Sequence, residues 1–156
     1  MSPRSKPLVK WKGLKPNPSK FFGFIYVITH HKSGVRYLGK KQYWVLKPAR
    51  TRKRPIADTS SDQWQPQHWL ESDWKTYTGS CKELNVMIAK EGHDAFDFQI
   101  IKQVSCKGDL TYSETEMLVK RDTLVRRDTE GKRLYLNGNI SAIRFIPPNK
   151  PSEVLT

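Results

Sequence analysis

Phe24-Ile25-Tyr26 and, after ten intervening residues, Tyr37-Leu38-Gly39 decide the fold of this chain. Residues 21–29 are rich in aromatic and β-branched side chains, residues 30–34 are polar, and residues 35–38 are again largely apolar. This pattern predicts a β-hairpin. Alternate residues of a strand share a face, so Tyr26 and Tyr37 can be registered toward each other. The two phenols could then act on one substrate, although ordinary packing on a core explains the same pattern.

Charge is distributed unevenly along the 156 residues, whose formal net charge is +13. Residues 1–54 hold 15 basic and no acidic side chains, whereas residues 55–156 hold 13 basic and 15 acidic ones. A basic block of this kind indicates a polyanionic partner, because cations that neutralise phosphates release condensed counterions. The interleaved Trp11, Tyr43 and Trp44 favour nucleic acid, since aromatic rings can stack on bases. A ribosomal protein or a membrane-surface protein would share the charge.

Other features of the composition narrow the class of protein. The length predicts one compact domain. No apolar run approaches the roughly 20 residues that cross a bilayer, and no apolar signal segment is present, so we expect a cytoplasmic protein without a membrane partner. Cys81 and Cys106 lack metal-ligand spacing, which favours free thiols.

The order of elements predicts a small α+β domain. Residues 1–20 contain four prolines among lysines and are expected to form a flexible basic arm outside the fold. Residues from about 45 to 68 are expected to form a long basic insertion loop that contacts DNA. Ser80 and Glu83 form a capping-box pattern before a first helix, and an alternating strand follows near residue 96. Asp109 or Ser113 can then cap a second helix that extends to about Val125. The order β-β-α-β-α predicts a central antiparallel sheet of about three strands flanked by helices, with a tail at residues 141–156.

These motifs resemble the GIY-YIG nucleases over roughly residues 21–140. The first tripeptide departs from the family name, because Gly23 stands one place early. Residues 72–80, Ser-Asp-Trp-Lys-Thr-Tyr-Thr-Gly-Ser, look like the branch found in phages that includes the Seg-type homing endonucleases. The resemblance implies Mg²⁺- or Mn²⁺-dependent hydrolysis of double-stranded DNA, by a phage-encoded homing-type or host-DNA-directed enzyme in the cytoplasm of a bacterial host.

The resemblance also implies a set of site residues. The metal ligand is a glutamate near the start of the second helix, where Glu114 fits best and Glu116 is the alternative. These two glutamates are about 200° apart around a helix and cannot share a face. A single carboxylate suits Mg²⁺, which keeps several waters, although a glutamate in a first helical turn also favours the helix dipole without a metal.

A catalytic cation is expected about eight residues after the second motif, where the family has arginine. This chain has Lys47 there and Arg50 three residues later, and we choose Arg50 because its planar fork holds two phosphate oxygens. Asn137 resembles the family's terminal asparagine, although an Asn-Gly turn explains it equally well. The expected DNA-binding residues are Lys40, Lys41, Arg50, Arg52, Lys53, Arg54 and Lys75.

The mechanism that follows is a hypothesis with alternatives. Glu114 would hold the metal, Tyr26 would accept a proton from the attacking water, and Tyr37 would orient the phosphate. Positive charge from Lys40, Lys41, Arg50 and the metal is expected to favour the phenolate of Tyr26. A catalytically degenerate DNA-binding protein of the same fold and a basic structural protein are the alternatives. The target sequence, the kind of cut and a homodimer on DNA stay open.

Overall fold

The computed structural model describes residues 5–47 and 69–140, which form an α+β domain, as predicted. Its elements in chain order are β1 (Trp11–Gly13), β2 (Gly23–His30), β3 (Arg36–Gln42), β4 (Trp44–Leu46), β5 (Trp69–Glu71), α1 (Lys82–Glu91), β6 (Phe96–Val104) and α2 (Lys107–Lys120). Short 3₁₀ turns at Trp74–Thr76 and His93–Ala95 precede α1 and β6. Within the described ranges, no helix is both long and apolar enough to cross a membrane.

The main sheet has four strands in the order β1-β6-β2-β3, so β3 is an edge strand. β2 pairs with β3 and with β6 in antiparallel fashion, which confirms the hairpin and the antiparallel centre of the sheet. The fourth strand, β1, pairs with β6 in parallel. β4 and β5 form a separate antiparallel pair.

The sheet is covered on both faces, because alternate residues of β2 point to opposite sides. On one face, Phe24, Tyr26 and Ile28 pack in a cluster with residues of α1, including Leu84 and Ile88. On the other face, a second cluster joins β2 and β3 to α2; its buried members are Phe22, Ile25, Val27, Leu38, Val104, Leu110 and Leu118. The two tyrosine motifs therefore lie between the layers that α1 and α2 form.

The prediction that residues 1–20 form a flexible arm outside the fold is wrong for residues 9–14. Val9 is buried, and its backbone amide donates to the Lys75 carbonyl at 2.8 Å. The Trp11 ring packs edge-on against Phe24, Tyr26 and Phe98, with centroid distances of 5.0–5.8 Å. This segment joins the fold by pairing with β6. The pairing was not predicted, because β6 lies far away in sequence and local composition gives no signal of it.

The predicted boundaries need two further corrections. Residues 45 and 46 belong to β4 rather than to a loop, whereas residues 48–68 and the tail at 141–156 lie outside the described residues. Ser80 does not cap α1, because that helix begins at Lys82 with Cys81 as its N-terminal boundary residue and no capping bond from its side chain. The Ser80 hydroxyl instead lies 3.2 Å from the Tyr37 hydroxyl.

Candidate active site

A polar cavity of about 270 Å³ lies beside the edge strand β3. Residues of β2 and β3, the segment before α1, helix α2 and the C-terminal described segment all contribute to its wall. Among the predicted site residues, the structure brings Tyr26, Tyr37, Lys40, Glu114 and Asn137 together here. The remaining lining residues are Leu38, Gly39, Tyr77, Ser80, Leu118 and Asn139.

The two motif tyrosines lie on the same face of the hairpin, one pleat apart. Tyr26 is directly opposite Gly39, and Tyr37 is directly opposite Ile28. The rings of Tyr26 and Tyr37 are therefore diagonal neighbours, with centroids 6.3 Å apart. The predicted convergence of the two phenols on one patch of surface is confirmed.

Gly39 is needed because the Tyr26 ring lies directly over its α-carbon. A β-carbon built at this position would overlap the hydroxyl and the ring of Tyr26. Gly79 closes the same corner with φ of +88°, a conformation that favours glycine, and lies against the rings of Tyr37 and Tyr26. The second motif thus supplies both a phenol and the space that the phenol of the first motif occupies.

Tyr26 is almost completely buried, with 1% of its surface exposed. Burial raises the pKa of Tyr26 well above its ordinary value of 10.0, and the neighbouring Tyr77 and Tyr37 raise it further. A hydrogen bond with Tyr77 also favours the protonated phenol. Of the cations expected to favour a phenolate at Tyr26, Lys40 and Lys41 do not offset the burial, and Arg50 lies outside the described residues.

Tyr37 is more accessible than Tyr26 and faces Ser80. Burial raises the pKa of Tyr37 above 10.0, while its hydrogen bond with Ser80 acts in the opposite direction. Both phenols therefore carry their protons at neutral pH, and Tyr37 can donate a hydrogen bond to an oxygen in the cavity.

Glu114 supplies the carboxylate of the cavity from the middle of α2. Its side chain is 15% exposed and lies 3.7 Å from the Lys40 ammonium, which also donates to the Thr111 hydroxyl at 3.1 Å. Burial raises the pKa of Glu114 above its ordinary value of 4.5, although Lys40 acts to lower it. Glu116, the alternative ligand, lies outside the cavity and pairs with Lys120 at 3.3 Å.

Asn137 holds the backbone of the edge strand. Its side-chain amide donates to the Leu38 carbonyl at 2.7 Å, and its side-chain oxygen accepts from the Leu38 amide at 3.0 Å. This pair of bonds imitates a neighbouring strand and fixes β3 at Leu38, between Tyr37 and Gly39, the residue opposite Tyr26. Asn137 is thus placed to position the site through the backbone.

The other predicted cations have different surroundings. Lys41 pairs with Asp73 at 2.5 Å and lies over the Tyr77 ring, 3.9 Å from its centroid. Lys75 pairs with Glu71 at 3.3 Å. Lys47 follows β4 and does not line the cavity. Four predicted residues fall outside the described residues, namely Arg50, Arg52, Lys53 and Arg54.

Sequence reasoning missed three side chains of the site. Tyr77 packs edge-on against Tyr26, with ring centroids 6.0 Å apart, and lines the cavity with Ser80. Thr111 binds the Lys40 ammonium. Tyr77 and Ser80 belong to the stretch at residues 72–80 that carries the resemblance, so their place in that motif was the available signal. Thr111 had none.

Comparison with known proteins adds one finding to this geometry. A family model described as "Putative endonuclease segE, GIY-YIG domain" matches residues 10–140. The match includes β1 as well as every element that lines the cavity. No curated protein and no solved structure matches the chain.

Proposed function

The chain belongs to the SegE-type GIY-YIG endonuclease family, and on this premise we propose that it hydrolyses phosphodiester bonds of double-stranded DNA in the cavity beside β3. The observation that carries the proposal is the convergence of Tyr26, Tyr37, Lys40 and Glu114 on one cavity from three elements. Two phenols, one cation and one carboxylate provide donors for phosphate oxygens and a ligand for a divalent cation.

The residues of the cavity fit a bound Mg²⁺ or Mn²⁺ ion. Glu114 is a partly desolvated carboxylate with a raised pKa, and Lys40 is the cation beside it. The described residues contain no group of three or more acidic, histidine or cysteine ligands, which suits an ion that takes one carboxylate with water and phosphate oxygens. Such an ion would polarise a phosphate oxygen and stabilise the leaving group.

Each side chain of the cavity has a role in this proposal. Tyr26, held neutral by burial, accepts a hydrogen bond from the attacking water while its own hydroxyl hydrogen-bonds with Tyr77. Tyr37 donates to a phosphate oxygen, and Ser80 orients its hydroxyl. Lys40 provides positive charge beside the phosphate, with Thr111 fixing its ammonium. Tyr26 therefore positions the water and is not its proton acceptor, which is the role that the sequence assigned to it. As the water oxygen bonds to phosphorus and the bond to the 3′ oxygen breaks, the proton of the water passes to bulk solvent and the 3′ oxygen takes a proton from solvent.

The Seg-type resemblance also carries a narrower proposal, which is a phage-encoded homing-type or host-DNA-directed nuclease. Support for it comes from the SegE family match and from the basic N-terminal third of the chain, which suits a polyanionic substrate. The cation assigned to Arg50 or Lys47, and the DNA contacts assigned to the basic segment, remain predictions.

The proposal is tested by incubating the purified protein with supercoiled plasmid in Mg²⁺ and, in parallel, in EDTA. We expect nicked or linear DNA in Mg²⁺ and intact supercoiled DNA in EDTA. Mapping the cut ends then shows whether one strand or both are cleaved. Plasmid that is retarded on a gel at low salt but stays uncut in Mg²⁺ and in Mn²⁺ would instead support a degenerate DNA-binding protein.

A further inference from the structure

A pair of arginines lies at one end of the cleft between α2 and β3. Arg36 is the first residue of β3, and Arg121 directly follows α2. Tyr135, which is 3% exposed, pairs with Arg36 in an isolated parallel β-bridge, and the positive charges of Arg121 and Arg36 favour the ionised form of its phenol. The backbone fixes this arrangement, since the Arg36 amide donates to the Leu134 carbonyl at 2.9 Å and the Leu136 amide donates to the Arg36 carbonyl at 2.8 Å.

This arginine pair is in line with the candidate active site. Along the face of β3 that meets α2, Lys40 contacts Glu114, and Leu38 packs in one cluster with Leu118. Arg36 is the next residue of that face, because side chains alternate along a strand. Four residues of strand span about 13 Å between the α-carbons of Arg36 and Lys40. One DNA backbone can therefore pass Lys40 and Arg36 in succession.

Among the described residues, 5–47 and 69–140, no carboxylate forms an ion pair with either arginine. Burial raises the pKa of Tyr135, but hydrogen bonds and charge from Arg121 and Arg36 outweigh it and bring that pKa below its ordinary value of 10.0. Arg36 begins β3 and Arg121 follows α2 at the same end of the contact between these elements, and two neighbouring guanidinium groups repel each other, so an anion that joins them is favoured.

We propose that Arg36 and Arg121 bind a backbone phosphate of DNA, a few nucleotides from the phosphodiester in the cavity, and that Tyr135 orients their guanidinium groups. The proposal rests on the proposed function for its ligand. Guanidinium groups suit a phosphate because their planar forks can contact two of its oxygens at once. The site extends the DNA-binding surface to the second half of the chain, where the net charge gives no sign of it.

The test compares the DNA affinities of full-length variants by fluorescence anisotropy with a short labelled duplex in EDTA, at several salt concentrations. The double variant Arg36→Gln/Arg121→Gln should bind about ten- to hundredfold more weakly. Its plot of log affinity against log salt should be flatter by about 0.9, as expected for one lost phosphate contact. Lys90→Gln/Lys107→Gln is the matched control, because it removes two exposed cations at the end of α1 and at the start of α2, outside the basic N-terminal third.

Two further variants keep the positive charge. They distinguish a specific phosphate-binding site from a general electrostatic attraction. Arg36→Lys/Arg121→Lys loses the forks, and Tyr135→Phe loses the hydroxyl that orients them, so both should bind more weakly than wild type. Wild-type affinity in the Gln pair and in both of these variants would overturn the proposal. Equal losses in the Gln pair and its control, with no loss in the charge-keeping variants, would overturn it too.

The outcome is distinguishable from that of the proposed function, because binding is measured without cleavage. A wild-type protein that cuts plasmid while the Gln pair binds normally would keep the nuclease and remove this site. A wild-type protein that never cuts, but depends on Arg36 and Arg121 for binding, would keep this site and remove the nuclease. Equal thermal melting of the variants checks that each one is folded.

Discussion

The two walls of the cavity differ in what holds their functional groups. Tyr26 and Tyr37 come from the face of the sheet that α1 covers, where aromatic rings surround them and Tyr26 is buried. Lys40 and Glu114 come from the face that α2 covers, and both side chains are partly exposed. One wall is therefore positioned by packing, and the other by charge and hydrogen bonds.

The two walls therefore have different functions in the proposed mechanism. The packed wall keeps Tyr26 protonated and fixed in place, because burial opposes its ionisation. The charged wall provides the ligand and the cation that a phosphodiester needs, through Glu114 and Lys40. Variants in the charged wall should change the chemistry most, whereas variants in the packed wall should act through geometry.

The largest effect is expected from Glu114→Gln, which removes the only carboxylate in the cavity wall as described. Loss of a metal ligand is worth several kcal/mol, so cleavage in Mg²⁺ should slow by about 10³-fold or more. Affinity for DNA should stay the same or rise slightly, because a negative charge has been removed near phosphate. The measurement is single-turnover cleavage of bound plasmid.

Glu116→Gln is the matched control for this prediction, since it makes the same change on the same helix outside the cavity. It should cleave at nearly the wild-type rate. A severe loss in Glu116→Gln together with normal cleavage in Glu114→Gln would move the metal ligand by two residues and contradict the description of the charged wall.

A smaller effect is expected from Gly39→Ala, which disturbs the packed wall. The added methyl group overlaps the Tyr26 hydroxyl and must displace it. A displacement of about 1 Å can slow a reaction by roughly 10²-fold, and we expect a loss of that order in the rate of cleavage. Gly108→Ala is the control, because its methyl group meets nothing within 4 Å, and it should leave the rate unchanged.

Tyr37→Phe should have a milder effect on the rate. It removes one hydrogen bond to phosphate and keeps the ring, so cleavage should slow by roughly tenfold. Tyr112→Phe removes a phenol that is 60% exposed on α2 and should not slow cleavage. Equal rates for wild type and Tyr37→Phe would remove this phenol from the mechanism.

The smallest effect is a change in stability at Glu114. Because its folded-state pKa is raised, this carboxyl contributes stability that is complete below its ordinary pKa of 4.5 and is lost as pH rises through the folded value. Glu114→Gln should therefore raise the melting temperature at neutral pH, and the gain should vanish in acid. Added Mg²⁺ should raise the melting temperature of the wild type only. Equal melting of both proteins at neutral pH would contradict the raised pKa.

Local pattern predicted the hairpin and the place of the tyrosines. Strand alternation put Tyr26 and Tyr37 on one face, and the family register put Glu114 in the cavity. The local pattern did not predict β1, because this three-residue strand among prolines pairs with β6, more than 80 residues away. Such pairing depends on the assembled sheet, which local composition does not encode.

The protonation of Tyr26 was also beyond local reasoning. Counting nearby lysines predicted a phenolate, but the pKa depends on burial by Trp11 and Tyr77, which come from separate parts of the chain. Ser80 shows the same limit. Its spacing from Glu83 favoured a helix cap, whereas its hydroxyl meets Tyr37 from the neighbouring layer.

The central claim is that Tyr26 acts in catalysis as a protonated phenol. The direct test is the ratio of single-turnover cleavage rates of wild type and Tyr26→Phe on saturating DNA, measured between about pH 6 and pH 9. We predict that the wild type is faster by roughly 10²-fold, as for the loss of a group that positions the attacking water, and that this ratio is constant with pH. A ratio that rises about tenfold per pH unit would show a phenolate acting as general base. A ratio of one at every pH would show that Tyr26 is only part of the core.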